Sequence, residues 1–374
     1  MRRTCFYYAA TVALGCAQGC LIAVPPPAGQ AVGAPAAGAY QGLRTTHAYQ
    51  PLPMAVTDPA GGAIVAPPIR VVPISNQLRQ DYGLDPFYVK TVTAGSIVIV
   101  GSDKVSDWAL LEAAYLMDHQ LHDSPKWVHE ALTANKVRLA VMAVVEYTMD
   151  LPENQDMENG AFEDERSRGL GGMPCCSCAE ENLLNLDSDP YGGDGGPGSG
   201  ENITIHEFAH TLADAIAASQ GSKGRFWARL NKAYKEAMAP GGRLERFNRN
   251  RRQDPVYAST MAHEYWAEGA QAWFDGADPD HAGGISTRDD VKKKDPKLAA
   301  LLAEIYGDGP WRYVKTTTKQ ADGKPMRPEG ELEHLAGFEA LRDRLPAFDI
   351  KKSPRVIAAK AKKKAKKRRV KSEG

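Results

Sequence analysis

Residues 201–219 read ENITIHEFAHTLADAIAAS, and this stretch limits what the chain can fold into. Ile203, Ile205, Phe208, Leu212 and Ile216 recur at helical intervals from Asn202 onward, which predicts a helix with apolar faces. The same helix must carry His206, Glu207 and His210. Polar groups on a buried helix need partners, because an unpaired one is costly to desolvate. His206 and His210 stand four residues apart, so their rings point the same way. Two imidazoles one turn apart can share a tetrahedral Zn²⁺, with Glu207 projecting beside them. Zinc brings the pKa of water towards neutrality, and Glu207 can take the proton as that water attacks a carbonyl. The plain alternative is a solvated polar stripe. A random match to HExxH is expected on the order of once per hundred such chains, and this one falls on an amphipathic segment rather than an irregular one.

A catalytic zinc takes a third protein ligand and keeps a fourth position open. The HExxHxxGxxH spacing is not met, because positions 213 and 216 are Ala213 and Ile216. VYASTMAHEYWAEGAQAWFD, residues 256–275, supplies better candidates. Ser259 or Thr260 can cap a helix running through Phe274, and Gly276 can end it. Glu264 and Glu268 lie four apart on one face of that helix, among Tyr265, Trp266 and Trp273. Two carboxylates in aromatic surroundings call for a cation. Glu264 is the leading third ligand, with Glu268 and His263 as rivals; His263 points to a different side from Glu264.

HEFAH followed by YASTMAHEYWAEGAQAWF resembles the gluzincin metallopeptidases of the anthrax lethal factor and Mlc titration factor type. The resemblance covers roughly residues 165 to 275. It implies that the Glu opening the Glu264-Tyr265-Trp266-Ala267 motif is the third zinc ligand. It also implies that Tyr257, seven residues earlier, assists the oxyanion of the transition state, and that Glu268 lies near the zinc histidines. On the residues alone, Tyr257 is equally a half-buried loop tyrosine. Asp214 follows the second histidine by four residues, where the titration-factor pattern has Asp at three; it is the candidate carboxylate behind a ligand. The implied fold is zincin-like, a small mixed sheet over the HExxH helix with a mostly helical C-terminal half. The implied activity is hydrolysis of peptide bonds in a protein or peptide substrate, with one Zn²⁺ per chain.

Pattern reading independently gives an α+β class. Residues 88–92 and 96–100 read as strands, Asp107-Trp108 opens a helix, and Pro125-Lys126-Trp127 starts another. Residues 137–145 form the strongest strand pattern; as the sheet edge over the cleft, it could accept a peptide as an added strand. Helices are expected over residues 289–306 and 332–345.

The ends differ in character from the middle. MRRTCFYYAATVALGCAQGCLIAV, residues 1–24, has two arginines before an apolar run, the form of a secretory signal. Ala13-Leu14-Gly15-Cys16 loosely matches a lipobox, and the run is also just long enough for an uncleaved anchor. All three variants place the protein outside the cytoplasm: periplasmic, cell-surface or extracellular. Residues 25–73 read as an Ala/Pro/Gly-rich linker, 74–350 as the catalytic domain and 351–374 as a disordered basic tail. Those last residues hold 12 Lys and Arg against one acid, so the formal zero charge of the chain hides an acidic body of net −11. Such an arm suits anionic wall polymer, lipid headgroups or nucleic acid. It also sustains the rival reading of a surface-attached, non-catalytic binding protein on a zincin scaffold. In an exported chain, Cys175, Cys176 and Cys178 are expected to enter disulfides, with unpaired core residues or a metal cluster as alternatives. The glycine run 192–200 lacks the GK[ST] of a phosphate loop and reads as a flexible rim.

Overall fold

The computed structural model describes residues 42–52, 67–192, 200–220, 225–251 and 254–373. The expected signal with Cys16, most of the linker and most of the glycine run lie outside the described residues.

The strands are β1 (Val72–Pro73), β2 (Lys90–Ala94), β3 (Ile97–Gly101), β4 (Arg138–Met142), β5 (Gly169–Leu170) and β6 (Cys175–Ala179). They form one mixed sheet in the order β1-β2-β3-β4-β6-β5. β3–β4 and β4–β6 are parallel and the other pairs antiparallel. β2 and β3 are joined by Gly95 and Ser96 at φ 55° and 70°, the left-handed geometry that a two-residue hairpin turn demands. The side chains of β3 alternate between two cores, Ile97 and Ile99 in one, Val98 and Val100 in the other. That is why β3 and β4 read as unbroken apolar runs: both faces are covered.

The same reasoning corrects the expected edge. The strand predicted over 137–145 is confined to Arg138–Met142 and lies inside the sheet, between β3 and β6. An unbroken apolar run marks a central strand, and the edges of the sheet are β1 and β5.

The helices in the first half are α1 (Asn76–Tyr82), α2 (Asp107–Leu121), α3 (Lys126–Ala134), α4 (Gly160–Arg166) and α5 (Glu180–Leu183). Then follow α6 (Ile203–Gln220), α7 (Arg225–Met238), α8 (Arg243–Arg249) and α9 (Ala262–Trp273). The last four are α10 (Pro279–Ala282), α11 (Arg288–Lys294), α12 (Pro296–Tyr306) and α13 (Pro354–Glu373). The mixed sheet with helices throughout makes the fold α+β. No helix of the described residues is long and apolar enough to cross a membrane.

α2 is buried on every side, not on one stripe, because the segment after residue 310 covers its outer face. There Trp108 donates to the carbonyl of Ala336 at 3.1 Å, and buried Glu112 takes two bonds from Arg327 at 2.7 and 2.9 Å. The expected helix over 289–306 is two helices. Asp295 caps α12 through the Leu298 N–H at 3.3 Å, and Pro296 has no N–H with which to continue α11. The helix expected over 332–345 is a pair of 3₁₀ turns, Glu333–Leu335 and Glu339–Arg344, separated by Gly337 at φ 78°.

Three further expectations change. Leu43 and Tyr49 are buried, and Tyr49 bridges to Ile69, so among the described residues packed structure is already present ahead of Ile74. Cys175, Cys176 and Cys178 are free thiols along β6. Neighbouring strand residues face opposite sides and residues two apart stand too far from one another, so the three cannot pair among themselves. The tail is helical rather than disordered. Ser353 bonds Asp164 at 2.8 Å, Arg355 reaches Asp150 at 2.8 Å and Asp164 at 3.2 Å, and Val356 is buried. With Pro354 in the first turn, that anchor starts a run of Ala, Lys and Arg, all strong helix formers.

Glu180 knits the layers together. Its carboxylate accepts the backbone N–H of Ser106, ahead of α2, and of Val144, beyond β4, both at 2.8 Å. Burial pushes this carboxyl up to about 8 from 4.5, despite those two bonds. Between these values the folded state binds the extra proton, so the group's contribution to stability falls as pH rises. Glu180→Gln is therefore expected to remove a decline of at most about 1.4 kcal/mol per pH unit. Denaturant unfolding of the two proteins between pH 5 and 8 checks this; parallel profiles would refute it.

Candidate metal centre

Asn202 starts α6 as its side chain accepts the Ile205 N–H at 3.0 Å, while Asn182 accepts the Ile203 N–H at 2.9 Å. With these donors satisfied the helix enters the interior at once. Ile205, Phe208, Leu212 and Ile216 are fully buried between β6, α3 and α9. α9 lies alongside, fixed by Trp266, whose indole N–H donates to the Ala209 carbonyl at 2.9 Å. The expected caps Ser259 and Thr260 fall one step early: Tyr257–Ser259 is a 3₁₀ turn and Met261 is the residue before α9.

This crossing brings His206, His210 and Glu264 together. His206 Nε2 lies 3.2 Å from His210 Nε2 and 3.1 Å from Glu264 Oε2, and His210 Nε2 lies 3.3 Å from the same oxygen. The three atoms form a nearly equilateral triangle. Donors bonded at about 2.0 Å to a tetrahedral zinc stand about 3.3 Å apart, so the residues present fit that ion. Three donor atoms converging at these distances are what a shared cation requires, each presenting a lone pair to it.

The tautomer of His206 is fixed from behind. Gln271 gives its amide N–H to the Asn202 carbonyl at 3.1 Å, which turns its Oε1 to His206 Nδ1 at 3.0 Å. In the neutral ring Nδ1 then carries the proton, which leaves the Nε2 lone pair aimed into the triangle. Burial works against ionising Glu264, but the two imidazoles outweigh it and hold its carboxyl well below the usual carboxylate range.

Glu207 is half-buried on the neighbouring face of α6. The chain running out of β5 passes directly over it. A Cβ on Gly171 would sit 2.5 Å from His210 Cβ and 3.1 Å from Glu207 Oε2, and one on Gly169 would sit 3.0 Å from Glu207 Cγ. Thr211 exchanges two 3.0 Å hydrogen bonds with the backbone of Gly172, holding that segment on the helix. Tyr257 stacks on His206 with ring centres 5.9 Å apart and planes at 15°.

The other candidates fall differently. His263 stacks on Trp227 at 4.1 Å, outside the triangle, as its position one residue before Glu264 implied. Glu268 is completely buried, 3.9 Å from His206 Nδ1, with its pKa pushed well up by burial. Asp214 lies in the field of His263 and His210 without a hydrogen bond to either, and burial raises its carboxyl pKa. Gln271 occupies the supporting position anticipated for Asp214. It sits seven residues after Glu264, two turns along the same helix face, and that spacing is where the sequence carried the signal. Gly169, Gly171 and Thr211 carried none that a single sequence exposes, since their roles come from a close approach between two distant segments.

No family model matches this chain, and no curated protein or solved structure shows significant similarity to it. Gln271→Leu keeps all three donors but frees the His206 ring, and is expected to weaken zinc binding about 10- to 100-fold. Competition with a chromophoric chelator measures this; unchanged affinity would mean that the amide does not support the site.

Proposed function

We propose that this chain is an exported zinc-dependent peptidase with a zincin-like architecture, His206, His210 and Glu264 holding the ion. The observation that carries the reading is the 3.1–3.3 Å triangle of these three donors, with Glu207 on the adjoining face of the same helix. When bound, zinc supplies the Lewis acidity that polarises a carbonyl and makes water nucleophilic near neutral pH. Glu207, half-buried under the Gly169–Gly172 segment, is the general base. Tyr257, stacked on His206, is assigned the hydrogen bond to the developing oxyanion.

β5 supports the peptide as substrate class. It is a terminal strand of the sheet, it pairs with β6 on one side only, and it continues over the HExxH helix. An extended peptide added to its other side would be drawn by backbone hydrogen bonds across Glu207. The arginine-led apolar start supports export. α13, with exposed Lys360, Lys362, Lys363 and Lys364, is assigned contact with an anionic polymer by charge. The same helix is what a purely binding protein would use.

Casein or peptide-library cleavage by the parent and by Glu207→Gln separates the two. The peptidase reading expects the variant to retain zinc and lose about 10²- to 10⁴-fold in cleavage rate, the usual worth of a general base. Absence of cleavage from both proteins, with polyanion binding intact, would leave the binding reading in its place.

A further inference from the structure

Apart from the triangle, Glu201, Asp278 and His281 each bring one ligand atom within 4.8 Å of the others. Glu201 immediately precedes the Asn202 cap of α6, and its side chain is only 8% exposed. His281 Nδ1 is in close contact with Glu201 Oε1. Asp278 caps α10 with Oδ1, which accepts the Asp280 N–H at 2.8 Å. Two distant parts of the chain, the loop before α6 and the single turn of α10 that carries both Asp278 and His281, thus converge on one small volume.

A simple His–Glu ion pair does not account for what surrounds it. Glu268 is 0% exposed, and neither of its oxygens has a hydrogen-bond partner. Glu201, His206 and His281 are among the charges that act on it most strongly. Three carboxylates, two of them buried, therefore share a region in which His281 is the basic side chain paired with Glu201. Such an arrangement is costly unless a cation completes it.

We infer that Glu201, Asp278 and His281 bind a second divalent ion, zinc or a metal of similar preference, with the buried, unpartnered Glu268 carboxylate in electrostatic reach of both sites. An imidazole with carboxylate oxygens suits such an ion better than a hard cation, which prefers oxygen alone. The ion ties the start of α6 to the segment after α9, the same two elements that supply the triangle. This site goes beyond the peptidase reading and stands or falls separately from it.

The test is metal content of the full chain after equilibration with Zn²⁺ and removal of free ion. The parent is expected to hold two equivalents, and His281→Ala one. Asp278→Asn keeps a good helix cap while losing the charge, and is expected to bind the second equivalent about tenfold or more weakly. The double variant His206→Ala/His210→Ala is expected to retain one. Because His281 is exposed, its truncation should leave the far-UV circular dichroism of the folded protein unchanged. A parent that binds one equivalent, lost in the His206/His210 variant, would overturn the second site and leave the first. One equivalent that is lost only in His281→Ala would support the second site and remove the peptidase reading. A second equivalent indifferent to both Asp278→Asn and His281→Ala would overturn the assignment, as would a parent holding no metal.

Discussion

The crossing of α6 and α9 is held by two side chains that face opposite ways along the contact. Trp266 reaches back to the Ala209 carbonyl, and Gln271 spans from the Asn202 carbonyl to His206. Removing either would let the helices slide, and the triangle depends on a relative placement good to a few tenths of an ångström. A fully buried Trp anchor typically contributes several kcal/mol, about 3–5 on truncation to Ala. That is ample to fix one axial position between two helices. The polar contacts then set rotation about the helix axes. Apolar bulk and hydrogen-bond direction divide the work of positioning, and the donor atoms follow.

The rest of the fold serves this crossing. β6 backs α6 from one side with buried Cys176 and Cys178, and α12 packs close to α9 because Gly269 has no side chain where Leu298 enters. A Cβ at Gly269 would stand 2.7 Å from Leu298 Cδ2. The carboxylates concentrated in this region are tolerated unequally. Glu264 has two imidazoles, Glu180 has two backbone N–H groups, and Glu268 has neither. The difference in partners, at comparable burial, separates a carboxyl held low from one pushed up.

Much of this is legible in the amino-acid sequence. His206, His210 and Glu264 could be grouped because helical spacing is a local property and HExxH fixes two donors on one turn. The α+β class followed from β-branched runs interleaved with helical periods. Other features were out of reach for a physical reason. The place of residues 138–142 inside the sheet depends on which strands neighbour them, although their unbroken apolar character was a clue. The break at Asp295–Pro296 is legible from proline chemistry, although the apolar period runs on across it. Gln271 lies on the same helical stripe as Glu264, but a neutral amide demands a buried partner less strongly than a charge does. The order in the C-terminal helix rests on Arg355 meeting Asp150 and Asp164, some two hundred positions away, and no local pattern announces such a contact.

That helix has a geometric consequence. Twenty residues at 1.5 Å each give a rod about 30 Å long. Its root is bolted to the body at Ser353 and Arg355. A floppy brush of lysines would sample every distance from the surface, whereas a boom of fixed reach holds its charge at a set standoff. Anything negatively charged that it grips would be presented to the body from one direction.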